Sequence, residues 1–289
     1  MGTFEPLPTR RGFLTLAAAG ALSACATNAA PAASRSAAET ATTPASSTPA
    51  LPHPPLWSPN RGDLVPAAKL AAVRHIEHAG TGAQNRVQVL EAQYGGLLST
   101  TASVLVACQS WTLREGRIVT GGHTFDVRLT LRGSRWMVTS VNPSHPGLPA
   151  SRLTTAARHV LASHRIVLPP AAHADVASGQ VHDTVLETML RMSQRWVVGV
   201  SVIRSGHPTY VFGTNRLSDH PRGRAFDTWA IDGHPVVAPQ TSRSLIADYM
   251  ERLAALGSYN VGGPMSLGSA PQYFSDNTHH DHVHAGFSR

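Results

Sequence analysis

Ser218-Asp219-His220-Pro221-Arg222-Gly223-Arg224-Ala225-Phe226-Asp227 is the stretch on which the fold and chemistry of this 289-residue chain turn. His220 sits in a loop punctuated by proline and glycine, and Asp227 sits in the strand-like run 225–231. A loop that runs straight into a strand can bring a ligand at each end back to one metal ion. A second dense cluster, His279-His280-Asp281-His282-Val283-His284, stands near the C-terminus. Strand alternation there places His282 and His284 on one face. A hydrolytic zinc centre typically takes three protein ligands and keeps a fourth position open. The ion acidifies water and polarises a carbonyl, and a neighbouring carboxylate or imidazole accepts the proton. With sixteen histidines in the chain a single one carries no weight, whereas these two clusters together do.

The pattern Ser-x-His-x-x-Gly-x-Ala-x-Asp, met by Ser218, His220, Gly223, Ala225 and Asp227, resembles the first motif of the LAS group of zinc peptidases. The second motif of that group is matched by His282-Val283-His284 and also by Asp281-x-x-His284. The group includes D-Ala-D-Ala carboxypeptidases and dipeptidases, L-Ala-D-Glu endolysins and murein endopeptidases. The resemblance spans residues 195–289 and implies an α+β domain of the hedgehog/D-Ala-D-Ala peptidase type. It further implies that His220, Asp227 and His284 bind one zinc ion, with either Asp281 or His282 as general base. The substrate class implied is the stem peptide of peptidoglycan, cut by a carboxypeptidase or an endopeptidase.

One departure from the group is plain. Its carboxypeptidase-like members carry Ser-Gly-Tyr-Arg upstream, where the arginine steadies the developing oxyanion. Here the slot reads Ser205-Gly206-His207-Pro208. Ser218, His207 and Arg222 are the candidates for holding substrate or oxyanion, and Arg204 and Arg224 are the other arginines close in sequence. The alternative for a chain without that arginine is a catalytically silent zinc lipoprotein that binds wall peptide or serves as a scaffold.

Working outward, Pro143-Ser144-His145-Pro146-Gly147 marks a boundary that opens a segment 148–289. Helices are expected at about 152–163, 181–194 and 241–256, and strands at 196–203, 225–231 and 282–287. Helices and strands mix without a βαβ rhythm, so the class is α+β. Trp196 and the helix near 245–256 read as core, and His279 and His280 as solvated loop residues. Residues 61–147 form a second α+β unit. Its helix, 64–78, places Leu70, Val73 and Ile76 near one face, and strands follow at 86–90, 102–112, 123–131 and 135–141. One helix and a curling antiparallel meander resemble the cystatin-like or NTF2-like folds. Cys108, within an apolar run, is expected to be a buried small hydrophobe, and the unit shows no catalytic constellation.

At the N-terminus, Arg10-Arg11 followed by Phe13-Leu14 matches a twin-arginine export signature. The apolar stretch that follows is too short to span a bilayer. It ends in Leu22-Ser23-Ala24-Cys25, which resembles a bacterial lipobox. Residues 1–24 are thus expected to be a signal peptide and Cys25 the acylated mature N-terminus. Residues 25–60, dominated by Ala, Ser, Thr and Pro, follow as an extended, solvated tether. The expected location is the outer face of the cytoplasmic membrane, reached through the lipid anchor alone. Nucleic acid is not an expected partner: Lys69 is the only lysine, and no block of about five or six like charges occurs.

Overall fold

The computed structural model describes residues 49–288, so the expected signal peptide, Cys25 and the expected tether up to residue 48 lie outside the described residues. The last part of the stretch expected to be solvated tether lies on the folded body. Leu51 is buried, and Trp57 packs on the first core while its N–H donates to Glu77 Oε1 at 3.2 Å. Two apolar side chains in an otherwise small and polar stretch are what holds it there.

Helix α1 (Pro66–Gly80) begins with proline in its first turn, where a missing N–H leaves no helical bond unmade. It buries Ala68, Lys69, Ala72, Val73 and Ile76. The stripe is therefore centred on 68, 72 and 76, and the expected Leu70 is rotated to its edge, half-buried, while Lys69 points inward. Five strands follow: β1 (Asn85–Leu97), β2 (Thr101–Arg114), β3 (Arg117–Gly121), β4 (Thr124–Arg132) and β5 (Arg135–Pro143). They pair antiparallel in the order β1-β2-β4-β5, with β3 also on β2. Strand β1 runs seven residues beyond the expected end at Leu90. Glu91, Gln93 and Gly95-Gly96 look like breakers in sequence, but register shifts at Val89/Glu91 and Tyr94/Gly96 absorb them. Val89, Tyr94, Val104, Val106, Cys108 and Val127 pack this sheet against α1.

The remaining chain builds a second sheet. Its elements are α2 (Thr155–Ala162), β6 (Ile166–Val167), α3 (Pro170–Ala177), α4 (Asp183–Ser193), β7 (Val198–Val202), β8 (Ala225–Ile231), β9 (His234–Pro235), α5 (Arg243–Ala255), β10 (Asn260–Gly262), β11 (Tyr273–Phe274) and β12 (Val283–Gly286). The strand order is β11-β10-β12-β8-β7-β6, with β9 on β8. Met189, Trp196, Phe226, Tyr249, Leu253 and Phe287 fill its core. The class is α+β, as the mixture of elements implies. The strands not anticipated, β3, β6, β9, β10 and β11, have between two and five residues, too few for a period to register. Helix α3 escaped because alanine and proline dominate it.

The described residues pack as one unit. Strand β1 is an edge strand, and its outward N–H groups need partners. The loop before β12 supplies them: Tyr94 N–H donates to Asp281 Oδ2 at 3.0 Å and Leu97 N–H to Thr278 Oγ1 at 3.1 Å. At Gly96 a Cβ would lie 2.0 Å from the ring of Phe212, so only glycine lets that ring lie on β1. Among the described residues no helix is long and apolar enough to cross a membrane.

Candidate metal centre

Strands β8 and β12 run antiparallel with Asp227 directly opposite His284. Directly opposed residues share a face, so the two motifs, far apart in sequence, become side-chain neighbours. His220 arrives from the short 3-10 turn His220–Arg222 that precedes β8. Ser218 Oγ accepts the His220 N–H at 3.3 Å, and Gly223 closes the turn at φ 68°. A Cβ on Gly223 would lie 2.1 Å from the carbonyl oxygen of Gln180, so both conformation and space call for glycine.

The three side chains converge on a small triangle. His220 Nε2 lies 3.2 Å from Asp227 Oδ1 and 3.2 Å from His284 Nδ1, and the third edge, His284 Nδ1 to Asp227 Oδ1, is 2.9 Å. His220 Nδ1–H donates to the carbonyl of Ile203 at 2.7 Å, which turns its other ring nitrogen, Nε2, toward the triangle. A bare nitrogen facing a carboxylate oxygen at that distance is repulsive unless a cation or a proton lies between. Zinc bonds of roughly 2.0–2.1 Å in a tetrahedron set neighbouring ligand atoms about 3.3 Å apart. The donor set and its spacing therefore fit a zinc ion. Burial pushes the His284 pKa down to about 4, outweighing the nearby Asp227, so the ring is neutral at pH 7 and able to ligate. Burial also works to raise the Asp227 pKa, but the imidazoles of His220 and His282 overcome it and the carboxylate stays ionised.

Behind the triangle stands an oriented imidazole. His282 Nδ1–H donates to Asp281 Oδ1 at 2.7 Å, and its Nε2 lies 3.7 Å from Asp227 Oδ2. The other oxygen of Asp281 receives the Tyr94 N–H and the Lys69 ammonium, the latter at 2.7 Å, and Lys69 also meets Asp63. Burial and Lys69 act oppositely on Asp281, and the ammonium prevails, holding the carboxyl well below its ordinary range. Burial tends to lower the His282 pKa, but Asp227 and Asp281 outweigh it and the net shift is upward.

His207 stacks on His220 with ring centroids 4.0 Å apart, and offers a ligand atom within 4.8 Å of those of His220 and Asp227. Its Nδ1 bonds the carbonyl of Pro208 at 2.9 Å, so the remaining nitrogen is its free end. Burial drives its pKa well down. A cleft of about 430 Å³ opens over the triangle, walled by Tyr94, Leu98, Phe212, Arg216 and Phe274, a volume suited to a short peptide or small ligand.

The structure thus brings together His207, Ser218, His220, Asp227, His282 and His284 along one cleft, with Asp281 buried behind His282. It does not bring in Arg222, whose half-exposed side chain faces Asp219 at 3.7 Å and does not line the cleft. Nor do Arg204 and Arg224 line it: they bond the carbonyls of Pro146 and Ser288. The arginine that does is Arg216, on the loop leading to the first motif. His279 and His280 are not solvated as expected. His279 packs edge-on against Phe274, and His280 Nε2 accepts the Leu64 N–H at 3.1 Å. Asp63, His280 and Asp281 form a further group of ligand-type atoms, but there the Lys69 ammonium is already the cation.

Sequence reasoning missed Gln93, Tyr94, Lys69 and Arg216. One signal was available: the single lysine of the chain falls on the apolar stripe of α1. Comparison with protein-family models, with curated proteins and with solved structures finds no match to this chain.

Proposed function

We propose that the chain is a zinc-dependent peptidase acting on peptidoglycan stem peptides, with residues 148–289 an LAS-type domain and residues 61–147 an NTF2-like or cystatin-like one. The observation that carries this is the His220–Asp227–His284 triangle, with edges of 2.9–3.2 Å, under an open cleft. A zinc ion held there would supply Lewis acidity and a water acidified to near-neutral pKa. His282 accepts a proton at Nε2, since its Nδ1–H is committed to Asp281. Asp281 orients that ring and does not itself react, because both its oxygens are engaged and it is buried. The walls formed by Tyr94 and Phe212 exclude bulk water from one side of the bound peptide, and Arg216 offers a positive charge to a peptide carbonyl or carboxylate.

The test is metal content and product analysis by mass spectrometry on purified peptidoglycan and short stem peptides. One zinc per chain and a new peptide product are expected, with both lost in His220→Ala and Asp227→Ala. Cleavage retained by either variant sinks the proposal. The second reading, a zinc-containing wall-peptide binder without turnover, is favoured by one observation: the slot 205–208 holds no arginine. Its signature is bound zinc and peptide affinity with no product. In both readings the chain is exported by the twin-arginine route and anchored at Cys25 to the outer face of the membrane; absence of palmitate label from the wild-type chain would remove the anchor.

A further inference from the structure

Apart from the boundary segment, where the Pro146 carbonyl accepts from Arg204 and Gln180, the polar reaches from the first α+β unit into the second half converge on a few residues. Gln93 Nε2 donates to Asp227 Oδ2 at 2.6 Å, and Ser201 Oγ in turn donates to Gln93 Oε1. Lys69 and the Tyr94 N–H hold Asp281 Oδ2, Leu97 N–H holds Thr278, and Leu64 N–H holds His280. These partners are one proposed zinc ligand, the β7 serine that holds the same glutamine, and the loop that carries His282. Contacts serving cohesion alone would be spread over the interface, and apolar packing would serve it better. A buried ion pair adds little stability over an apolar replacement of similar volume, so what Lys69 between Asp63 and Asp281 supplies is placement.

The residue type fits that role. All other basic residues of the chain are arginine, and Lys69 alone is lysine. Its side chain is fully buried between two carboxylates. A compact ammonium fits such a gap, where a planar five-donor guanidinium would need more room and more acceptors. Gln93 is likewise suited: its amide donates to the carboxylate oxygen of Asp227 that the triangle does not use, and its carbonyl is fixed by Ser201. Groups behind a metal ligand that lock its orientation tune affinity from outside the coordination sphere.

We propose that the unit formed by residues 61–147 is a working part of the metal centre, supplying Gln93 and Lys69 as positioning residues. Gln93 fixes the carboxylate of Asp227, and Lys69 fixes Asp281 and through it the ring of His282. This rests on the metal-centre reading of the site.

The test uses the whole chain loaded with Co(II), whose visible absorption reports ligand geometry. Wild type, Gln93→Met and the charge-compensated Lys69→Met/Asp63→Asn are compared. For Gln93→Met, Co(II) affinity falls about 10–100-fold and the absorption band changes shape. For Lys69→Met/Asp63→Asn, affinity stays within about two-fold, because no ligand is touched. The His282 ring N–H proton resonance moves, and kcat falls about ten-fold at unchanged KM. Folded variants with wild-type affinity, spectrum, ring resonance and kcat overturn the proposal while leaving the metal centre standing. A wild-type chain that takes up no Co(II) overturns both. If the lysine variant does not fold, Gln93→Met decides by its affinity and spectrum alone.

Discussion

Two groups of histidine and aspartate lie side by side in this molecule, joined through the Asp281–His282 pair, and they are balanced in different ways. In the group of Asp63, His280 and Asp281 the positive charge is the protein's own, the ammonium of Lys69. In the group of His220, Asp227 and His284, among the described residues, no lysine or arginine pairs with the carboxylate, and the Nε2 of His220 faces it at 3.2 Å. A buried carboxylate met by imidazoles and one neutral amide, in a cleft open to solvent, is a donor set suited to a cation. The same residue types thus make an ion-paired knot in one place and a candidate ligand set in the other, and the two differ by the presence of one lysine.

The largest effect expected separates the two groups by metal affinity. His284→Ala removes one corner of the triangle, and binding of zinc weakens by about 10³-fold or more, in line with a buried ligand whose loss leaves two. Asp63→Asn leaves the stoichiometry at one ion per chain and the affinity within about two-fold. Isothermal titration with zinc reads both. A second ion per chain, lost in Asp63→Asn, would show that the Lys69 group also binds metal and erase the distinction.

The next effect concerns how the Lys69 group is balanced. Glu91 lies close enough for Lys69 to act on it, yet burial raises its pKa from 4.5 to about 7, against the pull of the ammonium. A group whose folded pKa lies above its unfolded one holds the extra proton in the native state between the two values. Its contribution is complete below pH 4.5 and is lost as pH rises to about 7. Glu91→Gln, which keeps the shape and removes the titration, is therefore neutral at pH 4 and stabilising by about 3 kcal/mol at pH 8. Urea unfolding across that range measures it. Parallel stability curves for the two proteins would mean that Lys69 is shared equally among three carboxylates.

How much of this was legible in sequence follows from range. Asp227 and His284 are named by local motifs because the chemistry needs fixed spacing along a strand and its preceding turn, and local spacing is what a sequence displays. Gly223 was legible for the same reason, since a left-handed turn leaves its mark in one residue. Gln93 and Lys69 were not, because their partners lie 134 positions away in one case and on a loop of the other half in the second. Strand β1 hid its role further: the bulges that let it serve the site are made by residues that read as strand breakers. The choice between Asp281 and His282 was open in sequence because adjacent residues satisfy both motif variants. What favours His282 in the proposed reading is the position of Lys69 against Asp281, a fact of packing alone.

The smallest effect tests the arginine, where sequence distance misled most. Arg222 lies inside the first motif, yet the turn that delivers His220 leaves it exposed and facing Asp219; Arg216, four residues before His220, lines the cleft. Arg216 is exposed, so its charge is screened and its contribution to a developing negative charge is modest, on the order of 1 kcal/mol. Arg216→Met is expected to lower kcat/KM on stem peptides about five- to ten-fold, with Arg216→Lys restoring part of it, because a point charge replaces some of what the guanidinium does. Arg222→Met changes it less than two-fold. Equal losses in the two methionine variants would mean that a general positive field serves the site and no single arginine does. A loss confined to Arg222→Met would mean that this side chain turns to the bound peptide, since in the free protein it faces Asp219 and does not line the cleft.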